Sequence, residues 1–184
     1  MILSGTFPTL ETERLRLRQF VISDKSRLME IANSREIAEG TFIPFPYENE
    51  FAVDFIESQF RDYKNGNLVN YAVVLKEPDL LIGSMGISID NKLNEGEIGF
   101  WIGLDYWGNG YCTEAANAVI NYGFTKRKLD RIFAFHFRDN VASGKVLQKI
   151  GMELKGITKK EYWHRGKLKD TVHYSIYRTD YKEV

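Results

Sequence analysis

The segment that most constrains the fold of this chain is Glu97 to Ala116. There a strand-like stretch, Gly96 to Ile102, passes through a turn bearing Gly108 and Gly110 into a helical stretch from about Tyr111 to Lys126. A strand feeding a glycine turn that opens a helix aims unpaired backbone N–H groups and the positive helix end at one point, an anion site suited to a pyrophosphate. Gly108 and Gly110 allow dihedrals and close approaches that a side chain would deny. The turn does not carry the Gly-x-Gly-x-x-Gly fingerprint of dinucleotide folds, because position 113 is Thr and the strands upstream do not read as a βαβ unit. Taken alone, two glycines spaced this way also suit an ordinary strand-to-helix turn.

The rest of the chain forms one pattern around that segment. Arg14 to Arg18 alternates with period two, predicting a strand with Leu15 and Leu17 inward and the arginines toward solvent. Ser23 and Asp24 are placed to cap a helix carrying Leu28, Met29, Ile31 and Ala32. A second helix is predicted from about Glu48 to Tyr63, with Phe51, Phe55, Ile56, Phe60 and Tyr63 along one face. Three strands follow as an antiparallel meander, Tyr71 to Leu75, Leu81 to Ile89 and Gly96 to Ile102. Beyond the helix at Tyr111 come a strand Arg131 to Phe137, a helix Val141 to Ile150 ended by Gly151, and a hairpin pairing Thr158 to Trp163 with Val172 to Tyr177. This order predicts a single α/β (α+β) domain over residues 1–184, with a central mixed, largely antiparallel sheet of about seven strands flanked by about four helices.

Composition narrows the function classes. The chain has 184 residues, and its 25 Lys and Arg balance its 25 Asp and Glu, which argues against a nucleic-acid partner, since phosphate neutralisation needs a concentrated basic surface. The apolar runs, such as Tyr71 to Leu75 and Ile132 to Phe135, fall far short of the ~20 residues of a membrane span. Met1 to Gly5 has neither the basic region nor the apolar stretch of a secretion signal. The single cysteine, Cys112, can form no internal disulfide. The expectation is a cytoplasmic protein, with no membrane or nucleic-acid partner.

The block Glu97 to Ala116 resembles the acetyl-CoA motif of the Gcn5-related N-acetyltransferases. With the opening Leu10 to Arg18, Tyr122-Gly123-Phe124 and the run Asn140 to Met152, it is most similar to the ribosomal-protein N-terminal acetyltransferase branch. The resemblance implies a sheet splayed between the fourth and fifth strands, with acetyl-CoA as co-substrate and no metal. It implies that the backbone of Phe100, Trp101 and Ile102 pairs with the pantetheine amides, as an unpaired strand edge invites. Gly108, Asn109, Gly110, Tyr111, Cys112 and Thr113 would then wrap the pyrophosphate, and Asn140 and Ser143 would face the pantetheine arm and thiol. Two positions depart from the family pattern: Asp105 stands where Gln or Arg is usual, and Leu147 where many relatives carry a thiolate-protonating tyrosine. Ser143 is then the candidate acid, and Cys112 reads as a small filler of the turn. Asn140 and Ser143 also fit a local role at a helix start.

Acetyl transfer to an amine needs a neutral nucleophile, N–H donors for the developing oxyanion and an exit for one proton. Backbone near Phe100 to Ile102 can supply the donors. The candidate base is Glu97, with Glu95 behind it, since burial there would raise its pKa toward a useful range. A structural or substrate-orienting role for Glu97 remains open. The acceptor is expected against Glu39 to Tyr47, through Phe42, Phe45 and Tyr47, although a loop packed over the core would carry the same residues. His136, His164 and His173 show no metal-ligand spacing. An α-amino group, with a reference pKa of about 7.7–8.0, is partly neutral at pH 7, whereas lysine at about 10.4 is almost wholly charged. The reading is therefore an N-acetyltransferase acting on a protein or peptide N-terminus. The alternatives are acetylation of a polyamine, aminoglycoside or amino acid, or a catalytically weak acyl-CoA-binding regulator. Monomer and homodimer both remain open.

Overall fold

The computed structural model describes residues 6–182; the stretch Met1 to Gly5, read above as lacking a secretion signal, lies outside the described residues. The elements run β1 (Leu10–Glu11), β2 (Leu15–Arg18), α1 (Lys25–Ala32), α2 (Arg35–Gly40), α3 (Asn49–Lys64), β3 (Leu68–Leu75), β4 (Leu80–Asp90), β5 (Glu95–Ile102), α4 (Tyr111–Thr125), β6 (Arg131–Phe137), α5 (Val141–Lys149), β7 (Glu153–His164) and β8 (Lys167–Tyr177). They build one eight-stranded sheet in the order β1-β2-β3-β4-β5-β6-β8-β7, antiparallel throughout except where β5 and β6 run parallel. The described residues therefore hold eight strands and five helices where about seven and about four were expected. The additions, β1 and α2, are two and six residues long. Neither is long enough to show a period.

Strand alternation sorts the core into two layers. Leu15, Leu17, Tyr71 and Val73 point to one face and pack with Ala115, Ala116, Val119, Ile120 and Phe124 of α4 and Leu147 of α5. Ala72, Val74 and Leu81 point to the other and pack with Phe20, Leu28, Ala32, Ala52 and Ile56, under α1 and α3. The buried face of α3 is Ala52, Ile56, Gln59 and Tyr63. The expected stripe is thus rotated, with Phe51 and Phe60 left exposed. The reason is polar: Gln59 donates to the Phe55 carbonyl at 2.8 Å and accepts from Asn70 Nδ2 at 2.8 Å, a pair that must face the sheet.

Two expectations for the first strand and helix are corrected. Arg14, just before β2, and Arg16 and Arg18 within it point outward but are not simply solvated: Arg14 pairs with Glu114, Arg16 with Glu11 and Arg18 with Asp24. Asp24 precedes α1 without capping it through its side chain, because both carboxylate oxygens already take the Arg18 guanidinium at 2.7 and 2.8 Å and one also accepts from the Val21 N–H at 2.9 Å. Among the described residues no helix is long and apolar enough to cross a membrane.

Helix α5 lies close over β6 because Gly144 has no side chain. A Cβ there would stand 2.7 Å from Nε2 of His136. That ring is fixed, since its Nδ1 lies 2.8 Å from the Phe137 carbonyl and it stacks on Tyr174 at 5.8 Å. Gly144→Val is expected to lower stability by about 2 kcal/mol through overpacking, measured as a shift in urea midpoint at unchanged slope.

Candidate active site

The opening begins where the parallel ladder stops. Glu95, Gly96 and Glu97 of β5 pair with Arg131, Ile132 and Phe133 of β6, and no pair follows. Toward β4, β5 stays paired as far as Ile102, and the Gly103 N–H continues that ladder to the Ile82 carbonyl at 2.8 Å. Backbone polarity alternates along a strand, so Trp101 and Gly99 share the direction of Gly103. Ile98, Phe100 and Ile102 then turn their backbone groups into the wedge between β5 and β6. The Ile102 carbonyl takes the Trp107 indole N–H at 2.6 Å, which leaves the N–H groups of Phe100 and Ile102 and the carbonyl of Phe100 at the wedge.

The glycine turn lies directly above. Gly108 and Gly110 sit at φ +79° and +80°, a left-handed conformation that disfavours any residue with a Cβ. Gly110 caps α4, and the first intrahelical bond is Glu114 N–H to the Gly110 carbonyl at 3.0 Å, so the N–H groups of Tyr111, Cys112 and Thr113 have no helical partner. The turn is held from outside by a network that the sequence did not announce. Glu114 accepts from Thr12 Oγ1 at 2.6 Å, from the Arg14 N–H at 2.9 Å and from Arg14 Nε at 2.7 Å. Arg14 then donates to the Asn109 carbonyl at 3.0 Å and lies 4.5 Å above the Tyr111 ring. Burial alone would raise the Glu114 pKa, but the hydrogen bonds from Thr12 and Arg14 outweigh it and hold the carboxyl below its usual range.

A groove of about 750 Å³ joins the wedge to this turn. Its sheet side is Phe100, Trp101 and Ile102. Its upper rim is Tyr106, Trp107, Gly108, Gly110, Tyr111, Cys112 and Thr113, and its far wall is Asn140, Ser143, Lys145, Val146 and Lys149 of α5. Residues 36–41 of α2 and its end close the third side. The structure thus gathers every expected coenzyme-contacting residue except Asn109, which turns its amide to the Trp107 carbonyl at 3.1 Å and does not line the groove. Asn140 takes the local role, accepting from the Ser143 N–H at 3.2 Å, and it also lines the groove and donates to the Gly40 carbonyl at 3.2 Å, tying α5 to α2. Leu147 is wholly buried and faces the main core, not the groove. Burial pushes the Cys112 thiol up to about 12, so it is protonated at neutral pH and no nucleophile.

Lys145 and Lys149 went unnoticed in the sequence, as did Glu36 and Ile37 of the α2 wall, while Glu39, Gly40 and Thr41, expected against the acceptor, line the coenzyme groove instead. The i, i+4 spacing of the lysines along the far-wall helix was the available signal. The unpaired N–H groups of the α4 start, the two lysines and the free edge of β5 suit the phosphates and amides of a coenzyme A.

On the other side of Phe100 and Trp101 lies a second cleft, of about 410 Å³, walled by Phe42, Ile43, Pro44, Tyr47, Phe51 and Phe55 with Leu68, Asn70, Ser84, Gly86, Ser88 and Gly99 beneath. Of the expected acceptor residues Phe42 and Tyr47 line it, and Phe45 does not. Phe42 packs edge-on to Phe135, Phe137, Tyr162 and His164 at 5.3–6.3 Å, and burial pushes the Tyr47 phenol up to about 12. Glu97 belongs to neither space. It stands three residues, about 10 Å of strand, below Phe100, in a depression with Asp90, Glu95 and Phe133 that meets the acceptor cleft at Ser88. Burial raises its pKa, opposed by the nearby His173. Among the described residues no group of three or more His, Cys, Asp or Glu could hold a metal ion.

A splayed strand edge, a helix-start anion turn and a second cleft meeting at Phe100 and Trp101 define a coenzyme-A-dependent acyltransferase. The acetyltransferase (GNAT) domain model matches residues 14–153, and the chain belongs to the Gcn5-related N-acetyltransferase family as an acetyl-CoA-dependent N-acetyltransferase. It is 30% identical over 171 residues to the uncharacterized N-acetyltransferase YoaA of Bacillus subtilis, covering 92% of this chain and 97% of that one. It shares its fold with a ribosomal-protein-S5-alanine acetyltransferase from Vibrio fischeri, with TM-score 0.83, 24% identity and coverage of 95% and 99% of the two chains. Spermidine N-acetyltransferase from Vibrio cholerae has TM-score 0.79 and 19% identity, with coverage of 92% and 98%.

Gly110→Glu should abolish acetyl-CoA binding in calorimetry, by adding a negative charge and a strained residue at the turn; unchanged affinity would remove the turn from the site. Glu114→Gln tests the outer brace. A carboxyl held below its unfolded pKa contributes stability that is present above that pKa and is lost as pH falls through the folded value. The variant's stability deficit should therefore be full at pH 7, begin to shrink only as pH falls below the ordinary glutamate value of about 4.3, and vanish once pH is below the lowered folded value, followed by denaturation across that range.

Proposed function

We propose that this N-acetyltransferase moves the acetyl group directly to the α-amino group of a peptide or protein N-terminus, in the cytoplasm. The observation that carries this reading is the sparse acid–base equipment beside the wedge. Leu147, at the position where relatives carry a proton-donating tyrosine, is buried away from the groove, and the candidate base Glu97 lies about 10 Å of strand away from Phe100. Such a site favours an acceptor already partly neutral at pH 7, as an α-amino group is and a lysine side chain is not.

Bound acetyl-CoA supplies an activated acetyl thioester. The chain's own residues do the rest. The Phe100 and Ile102 N–H groups offer donors to an oxygen that gains charge. The aromatic cleft aligns the amine from the face opposite the coenzyme groove. Glu97, its carboxylate made more basic by burial, takes up the amine proton through intervening water. Ser143, on the far wall, supplies a hydroxyl to the departing sulfur.

Acetylation of a polyamine is the second reading. The depression that holds Asp90, Glu95 and Glu97 adjoins the acceptor cleft at Ser88 and could receive a remote ammonium. Release of coenzyme thiol with peptides blocked at lysine but free at the N-terminus, set against spermidine, separates the two. Turnover confined to spermidine would overturn the first reading. Glu97→Gln is expected to lower kcat about 10²-fold, and the wild-type rate should climb with pH through a value above the ordinary carboxylate range. A variant rate near wild type across pH 6 to 9 would make Glu97 structural.

A further inference from the structure

The floor of the acceptor cleft contains a cross-strand pair of glycines, Gly86 of β4 opposite Gly99 of β5. Facing glycines within two strands weaken a sheet, and a glycine inside a strand often marks a place where a ligand or another backbone approaches closely. The two glycines have different reasons. At Gly86 a Cβ would lie 2.5 Å from Oδ1 of Asn70 and 2.9 Å from its Cα. Asn70 occupies that space, held by Gln59 at 2.8 Å and Ser84 at 3.0 Å. At Gly99 a Cβ would meet nothing within 4 Å and φ is not in the left-handed range, so neither packing nor backbone conformation calls for glycine there. A branched residue would suit the strand better on every local ground.

What Gly99 leaves open is part of the cleft. It precedes Phe100, whose N–H faces the wedge, and shares its strand face with Trp101. Tyr47, Phe51 and Phe55 stand across from it, and the one carboxylate lining the cleft is Asp54. The size, about 410 Å³, falls in the range of about 300–1,000 Å³ typical of small-ligand pockets.

We propose that Gly99 determines acceptor specificity: its missing side chain opens the cleft floor to an apolar, aromatic-sized substituent carried on the carbon beside the reacting amine. For an N-terminal acceptor this is the side chain of the first residue, so the enzyme prefers Phe, Leu or Met over Gly or Ala at that position. The inference deepens the α-amino reading and rests on it, but its logic concerns the substituent, so the two can fail separately.

The test measures coenzyme thiol release by the full chain against peptides differing only at the first residue, Gly, Ala, Leu, Met or Phe, and against ethylamine and phenethylamine. Wild-type enzyme, Gly99→Ala and Gly99→Val are compared, with acetyl-CoA affinity from calorimetry and thermal denaturation as a check on folding. The wild type should favour apolar over small first residues by about 10-fold or more in kcat/KM, a usual range for one hydrophobic pocket. Gly99→Val should reduce that ratio by about 10-fold through KM, Gly99→Ala by less, with acetyl-CoA affinity unchanged. Silent peptides together with phenethylamine favoured over ethylamine, a preference lost in Gly99→Val, would uphold the Gly99 assignment while overturning the α-amino reading. No preference for the larger substituent in the wild type, or an equal fall for large and small acceptors in Gly99→Val, would overturn the assignment. Gly99→Ala carries the comparison if the valine variant does not fold.

Discussion

The site depends on one interrupted ladder. Had β5 and β6 continued to pair past Glu97 and Phe133, the backbone of Phe100 and Ile102 would be bonded to β6, and there would be neither a wedge for an extended ligand nor free donors for a charged oxygen. Leaving those groups unpaired inside a sheet is costly. The surrounding structure sustains it: β5 remains anchored to β4 along its length, and β6 to β8, so each bordering strand is rigid on its outer side. The open edge is a consequence of two strands that diverge while each stays in its own ladder.

The anion turn is sustained in a similar way. A helix start with two left-handed glycines is loose when isolated, yet here its outer side is clamped by Arg14 and Glu114 to the first strands, while Arg27 holds Tyr106 just before the turn at 2.7 Å. The N–H groups at the helix start stay free because the bonds from Arg14, Glu114 and Arg27 reach the loop from behind, and on the groove side Trp107 spends only its indole N–H, on the Ile102 carbonyl. Helix α5 is fixed through Asn140 to Gly40, and His164 at the end of β7 and Arg165 in the turn after it hold the Ala38 and Ile43 carbonyls. Coenzyme groove and acceptor cleft therefore share a roof that is tied at both ends, and they meet at Phe100 and Trp101.

Much of this was legible in the residues. The β6 boundaries, the start of α4, the three-strand meander and the burial of Leu15 and Leu17 followed from period and turn chemistry, because those elements are long or strictly alternating. β1 and α2 escaped because two and six residues carry no period. The α3 face was misjudged because apolar count favoured Phe51 and Phe60, while the buried hydrogen bonds of Gln59 decided the rotation. Within the site, the glycine turn at Gly108 and Gly110 was readable from its pattern, whereas the place of Phe100 to Ile102 at the open edge came only from the family resemblance. The brace by Glu114 and the placement of Phe45 outside the cleft depend on contacts between segments far apart in the chain, which local patterning does not encode.

The most direct test of the account is hydrogen exchange of individual backbone amides with and without acetyl-CoA. If the coenzyme is held by the open edge and the helix start, Phe100, Ile102 and Tyr111 to Thr113 should exchange quickly in the free protein and slow markedly when it binds, while β7 stays unchanged. Protection that leaves these amides unaltered, or that falls instead on the β7–β8 hairpin, would contradict it.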